Sequence, residues 1–387
     1  MTTSDGRVVG TTKIVDAGDP ASRWNLVVLG DGYRETELAD YATDVKSFTD
    51  GLLGSVPFSS LRQAINVFRV DVVSTDSGAD DPTTCGGTGA VAATYLDGTF
   101  CANGLDRLLV VDDATAMAVA TAQVPQWHKI VVSVNSTKRG GSGGEVAVFS
   151  QASDSNQVAL HELGHSAFGL ADEYEYLQGC GLEDDHNRHP PGEPAQPNVT
   201  TNADRATLKW RELVASATPL PTTTNPDCTK CDPRTGPPAG VPASAVGAYE
   251  GADHFHCGAF RPQFTCRMRF VDQEFCAVCA RRIRQVLNPF LPSVVETTGR
   301  VTFLRVHDVG TGFGPPSDFL DVEVVVQLDT EPGRAFGFQL REGTTEVVRK
   351  GMLDTLRTAF DRNSPVRVDY RRTGIDNGVL VRVADLP

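Results

Sequence analysis

The chain has 387 residues, 40% hydrophobic and 22% charged, which is the composition of an ordinary globular protein with room for two or three domains. Its formal net charge of -14 argues against nucleic acid or an anionic membrane surface as the main partner. No apolar run approaches the roughly 18–20 residues of a membrane-spanning helix.

Residues 1–20 read as an edge strand or arm around Lys13-Ile14-Val15. Residues 24–29, WNLVVL, form a buried-strand run closed by Gly30-Asp31-Gly32. Over 35–53, Leu38, Tyr41, Val45, Phe48 and Leu52 share one helical face. Residues 65–73 give a second strand, 74–89 a polar loop, and 108–111 the start of another strand. Asp112 or Asp113 is placed to cap a helix over 114–124. Residues 129–134, KIVVSV, are a further strand. This alternation predicts an α/β layer with a largely parallel sheet. After a glycine cluster at 140–144, residues 145–149 read as a short strand. It is either an ordinary hairpin arm or a cleft wall able to pair with an extended peptide.

The next stretch, LHELGHSAFGLADEYE, carries chemistry. On a helix near 154–168, with Ser153 or Asp154 as N-cap, His161 and His165 share one face and can ligate one Zn²⁺. Glu162 stands beside them as a general base. Hydrolysis needs a third protein ligand and one open position. Asp172 would lie roughly 10 Å further along a straight helix, but Gly169 can end the helix in the left-handed conformation and turn the chain back. The metzincin pattern HExxHxxGxxH keeps the same spacing from glycine to ligand. Asp172 is therefore the preferred ligand, Glu173 its nearest rival, and Glu183 or Glu212 would belong to a different ligand plan.

Residues 178–250 are rich in Pro, Thr, Gly and Asp, with one helix expected near 205–216 and another over 275–287. Seven of the nine cysteines lie between 180 and 279. Cys228-x-x-Cys231 with Cys276-x-x-Cys279 fits a four-thiolate zinc pattern, but the long gap favours disulfides, and Cys85 with Cys101 could form another. His254 and His256 read as surface or hydrogen-bonded histidines rather than ligands. Met268 is placed for a methionine turn under the metal or for plain core packing. Tyr174, Tyr249 and Arg267 are the candidates for oxyanion stabilisation. Residues 300–387 are strand-rich, with one helix near 352–360, and hold no catalytic constellation.

Taken in order, several stretches resemble the bacterial IgA-peptidase family of zinc metallopeptidases, a branch close to the metzincins. They are WNLVVLGDGYRETEL, PFSSLRQAINVFRVDVVSTDSGAD, VSVNSTKRGGSGG, HELGHSAFGLADEYEY, PNVTTNADRATLKW, AYEGADHFHCGAFRPQFTCRMRF and FCAVC, together covering roughly residues 20–285. The resemblance implies a zinc-dependent endopeptidase acting on protein or peptide substrates. It also implies metal ligands His161, His165 and Asp172 and the base Glu162. The expected architecture is an α/β zincin-like metallopeptidase domain over 1–293, with a mixed, largely parallel sheet, an active-site helix and a loop-rich cysteine-containing lower part at 178–287. A small β-rich accessory domain should follow over 294–387. A different class of function is a binding protein that uses the C-terminal domain, and a third is a zinc amidase acting on a non-peptide amide. The N-terminus lacks a secretory hydrophobic core, whereas nine cysteines favour a secreted, oxidising setting.

Overall fold

The computed structural model describes residues 5–181, 186–315, 318–341, 345–373 and 376–386. The chain divides into two units, Met1–Asp16 with Trp24–Pro289, and Ala17–Arg23 with Phe290–Pro387.

The first unit is built on a six-stranded mixed sheet. Its strands are β1 (Gly6–Val15), β2 (Trp24–Asp31), β3 (Ile65–Ser74), β4 (Lys129–Val134), β5 (Gly141–Gly143) and β6 (Ala147–Ser150), in the order β1-β3-β2-β4-β6-β5. β3, β2, β4 and β6 run parallel, and β1 and β5 close the two edges antiparallel. Every residue of β2 is buried, which is why WNLVVL reads as a continuous apolar run rather than an alternation. Each fully buried Val or Leu there contributes roughly 1.5–3 kcal/mol. Val27 and Leu29 join Ile130, Val132 and the Ala116, Val119 and Ala120 face of helix α2 (Asp113–Gln123). Helices α1 (Leu38–Gly54) and α3 (Ser155–Phe168) also pack on the sheet and on each other, with Phe48 of α1 5.4 Å from Phe149 of β6. Tyr41 fastens α1 by donating its hydroxyl to Val28 O and Val70 O. Asp112, not Asp113, caps α2, accepting from Thr115 N at 2.8 Å.

Three expectations need correction. Of the two readings of 145–149, the hairpin arm holds and the peptide-pairing cleft wall does not, because the strand is β6, paired on one side with β4 and on the other antiparallel with the glycine strand β5. Residues 108–111 contribute only bridge pairing. The helix expected near 205–216 is reduced to a 3-10 turn at Arg211–Leu213, because Trp210 is drawn into the core and donates its Nε1–H to Gly247 O at 2.7 Å. This part of the unit is loop-rich, and it ends in the hairpin β7 (Tyr249–Ala252) and β8 (Phe255–Arg261) and helix α4 (Ala277–Leu287).

The second unit is a closed barrel. Its strands β9 (Val294–Val306), β10 (Val324–Leu328), β11 (Phe336–Phe338), β12 (Pro365–Arg372) and β13 (Gly378–Asp385) are ordered β10-β11-β13-β12-β9. Helix α5 (Glu346–Arg362) presents Leu353, Leu356 and Ala359 to a core of Val324, Phe336, Val368 and Tyr370. Closure removes the exposed strand edges that so small a sheet would otherwise carry. Among the described residues no helix is long and apolar enough to cross a membrane.

Asp31, at the end of β2, gathers the loop over the sheet by accepting from Leu96 N at 2.8 Å, Gly98 N at 2.9 Å and Thr94 Oγ1 at 2.9 Å. Burial nevertheless pushes its pKa up to about 6 from an ordinary 3.8. The unfolded chain thus loses this proton first as pH rises, and the group's contribution to stability, full below the unfolded pKa, is lost on passing through the folded one. By linkage that loss is about 3 kcal/mol. Denaturation of Asp31→Asn between pH 4 and 6 should show a smaller loss of stability with rising pH than the parent; identical slopes would refute the assignment.

Candidate metal centre

Helix α3 carries His161 and His165 one turn apart and ends where Gly169 adopts the left-handed conformation, φ 63° and ψ 37°. Leu170 N donates to Gly164 O at 3.1 Å and Gly169 N to His165 O at 3.0 Å, the latter being the bond of a helix end closed by a left-handed glycine. The turn sends the chain back along the helix. Asp172 Oδ1 arrives 3.1 Å from His161 Nε2 and 3.2 Å from His165 Nε2, and the two Nε2 atoms are 3.1 Å apart. His161 Nδ1 lies 2.9 Å from Arg267 O and His165 Nδ1 2.7 Å from Leu170 O. Each Nδ1 therefore carries the proton that it donates to its carbonyl, and the Nε2 lone pairs point at the shared centre.

Two imidazole lone pairs and a buried carboxylate oxygen facing one point repel one another unless a cation or a proton lies among them. Ligands about 2.0–2.1 Å from a tetrahedral ion lie about 3.3 Å apart, close to the separations observed. Asp172 Oδ1 has no other hydrogen-bond partner. The residues present therefore fit a divalent metal. The electrostatics agree in sign. Burial alone would disfavour charge on His165, but Asp172 pushes its pKa up to about 9, so the cluster holds positive charge tightly. Burial likewise pushes the Asp172 carboxyl up, yet His165, His161 and His254 hold it well below the usual range.

The surrounding shell fixes these ligands. His254 Nε2 donates to Asp172 Oδ2 at 2.9 Å. His254 and Asp253 form the tip between β7 and β8, both at positive φ, and their backbone N–H groups donate to Tyr174 O and Asp172 O at 3.0 Å each. Met268 is fully buried with its sulfur against Gly164, 2.7 Å from where a Cβ would stand, which puts it under the helix between the two histidines. Its carbonyl accepts from Glu173 N at 2.7 Å.

Glu162 faces a cleft of about 290 Å³ shared with Arg107, Val158, His161, Tyr174 and Tyr176. Burial raises its pKa, while His161 and His165 pull it down. Tyr174 also faces this cleft, and burial raises the pKa of its phenol. Arg107, which no motif in the sequence marks, hydrogen-bonds to Tyr174 and interacts electrostatically with Asp172 and Glu162. Burial acts against its charge, but these partners hold its pKa above the ordinary value. The remaining candidates fall elsewhere. Tyr249 donates its hydroxyl to Ala245 O at 3.0 Å and packs on Phe264. The Arg267 guanidinium lies over Phe275, and only its carbonyl reaches His161. Glu173 turns away to Asn198 and Cys279, Glu212 pairs with Arg281, and Glu183 lies outside the described residues. His256 is buried on β8 and accompanies none of the ligands. Disulfides join Cys85 to Cys101, Cys180 to Cys231 and Cys228 to Cys257, which overturns the four-thiolate pattern because Cys228 and Cys231 are each bridged to another partner.

The sequence profile of the family described as IgA Peptidase M64 matches residues 12–232 and 239–287. The chain belongs to that family, and is accordingly a protease of the metallopeptidase class. No curated protein matches the chain.

His254→Asn keeps a residue that tolerates the left-handed backbone but is too short to reach Asp172. Loss of such a supporting hydrogen bond should weaken metal affinity by about 10–100-fold in chelator competition. Unchanged affinity would show that His254 does not hold the carboxylate.

Proposed function

We propose that the chain is a zinc-dependent endopeptidase that hydrolyses peptide bonds of protein substrates with Glu162 as general base. The observation that carries this reading is the convergence of His161 Nε2, His165 Nε2 and Asp172 Oδ1 within 3.2 Å of one another beside Glu162. Two imidazoles and a carboxylate are a donor set that suits Zn²⁺ and leaves one position for substrate. When bound, Zn²⁺ supplies a Lewis acid that makes water acidic near neutral pH and polarises the scissile carbonyl. The α/β sheet with its active-site helix supports a zincin-like catalytic domain.

In this mechanism Glu162 takes the proton of the attacking water and passes it to the leaving amine. Its raised pKa brings the carboxylate nearer the range in which it both accepts and releases a proton. Arg107 and Tyr174 share the cleft and are the donors best situated to stabilise the developing oxyanion. His254 and Met268 act as positioning residues on Asp172 and on the helix. Gly141 of β5, lacking a side chain, lies directly against the Glu162 carboxylate, while its backbone N–H and carbonyl are taken by Arg107 O and Leu109 N. The three disulfides support an extracytoplasmic setting.

Glu162→Gln preserves shape and removes the base. Turnover of a fluorogenic peptide library should fall by about 100-fold or more while zinc content per chain stays at the parent value. Full activity in that variant would sink the mechanism.

A further inference from the structure

Behind the first ligand cluster lies a second. Glu173, Cys266, Cys276 and Cys279 are all buried, and their ligand atoms lie within 4.8 Å of one another. Nine cysteines divide into three disulfides and these three thiols. From this geometry we propose that the four side chains form a separate structural zinc site with three thiolates and one carboxylate.

Several distances speak for a metal rather than a fourth disulfide or an ordinary polar core. Cys266 Sγ and Cys279 Sγ are 3.7 Å apart. A tetrahedral zinc with Zn–S distances of about 2.3 Å sets its sulfurs about 3.8 Å apart, whereas a disulfide needs about 2.05 Å. Glu173 Oε1 stands 3.2 Å from Cys279 Sγ and 3.8 Å from Cys276 Sγ, completing the fourth corner. Glu173 Oε2 is buried with no hydrogen-bond partner, which is costly for a carboxyl group left to itself. Backbone N–H groups are already aimed at sulfur. Cys276 N donates to Cys266 Sγ at 3.3 Å and Cys279 N to Cys276 Sγ at 3.4 Å. The pair Cys276 and Cys279 sits at the N-terminus of α4, where the helix dipole favours thiolate. The buried Arg261 interacts electrostatically with Glu173 and offsets part of the negative charge. On binding, each thiol releases its proton to solvent as its sulfur takes up the metal.

The placement gives the site a purpose. Glu173 follows Asp172 directly, Cys266 lies two residues before Met268, and Cys276 and Cys279 open α4. One ion would tie together the ligand segment, the loop beneath the histidines and a core helix. It would hold the first centre in register without touching substrate, and it would also keep three buried thiols from oxidising in a protein otherwise stapled by disulfides.

The test is zinc content and X-ray absorption on the full chain, purified without chelator and then exposed to zinc, in the parent and in His161→Ala/His165→Ala. The parent should hold about two zinc ions per chain. The double variant should keep about one, with sulfur scatterers at about 2.3 Å. Cys276→Ser/Cys279→Ser should lose that ion; if it fails to fold, the histidine variant still decides the matter. The proposal is overturned if the histidine variant binds no zinc, or binds it with nitrogen and oxygen neighbours only. It is also overturned if alkylation of the denatured, chelated parent finds fewer than the three expected thiols. Failure of the first centre instead would appear as a parent and a histidine variant that hold the same sulfur-bound ion.

Discussion

The left-handed turn at Gly169 is the constraint on which the metal centre depends. A helix can present two histidines on one face, but it cannot present a third ligand to the same point, because the next residues on that face move away along the axis at 1.5 Å each. A third ligand from the residues that directly follow the helix requires a chain that stops and doubles back. Gly169 supplies the stop, and the bonds from Leu170 N and Gly169 N to the last turn of α3 set the direction of return. The Leu170 carbonyl created by that turn then fixes the tautomer of His165. One backbone conformation thus delivers the carboxylate and orients an imidazole.

What arrives at Asp172 is held from three sides. The β7–β8 hairpin tip bonds to its carbonyl and, through His254, to its free oxygen. The loop at Arg267 and Met268 holds His161 through one carbonyl and Glu173 through the next. Burial makes each of these contacts matter more, since a carboxylate removed from water is tolerated only when its partners hold it charged. The same burial sets Glu162 apart from Asp172. One carboxyl is drawn down by histidines and the other drifts upward, so two neighbouring acids take different tasks.

Local chemistry made part of this legible in the sequence. The histidine spacing, the glycine after the helix and the acid three residues later are all short-range relations, and each keeps its meaning in the fold. The strands β2 and β4 were equally plain, because buried parallel strands leave continuous apolar runs, and β3 was legible from its alternation. Arg107 was not legible, since its partners Tyr174 and Leu177 lie far along the chain. Nor was β5, whose glycines pair through backbone alone and carry no strand propensity. A helix was expected near 205–216, but Trp210 is drawn into the core and only a 3-10 turn at Arg211–Leu213 remains. His254 reaches Asp172 only because Asp253 and His254 accept a left-handed turn that their residue types do not announce. The long gap between Cys228-x-x-Cys231 and Cys276-x-x-Cys279 favoured disulfides over a shared zinc, and the fold bridges the first pair to other partners while gathering the second with Cys266 in a thiol cluster.

The most direct measurement is anomalous diffraction at the zinc absorption edge from crystals of the zinc-loaded chain. A peak bonded to His161 Nε2, His165 Nε2 and Asp172 Oδ1, with Glu162 adjacent but not bonded, is the expected result. A metal held by Glu173 in place of Asp172, or no peak between the two histidines, would contradict the turn at Gly169 as the origin of the site.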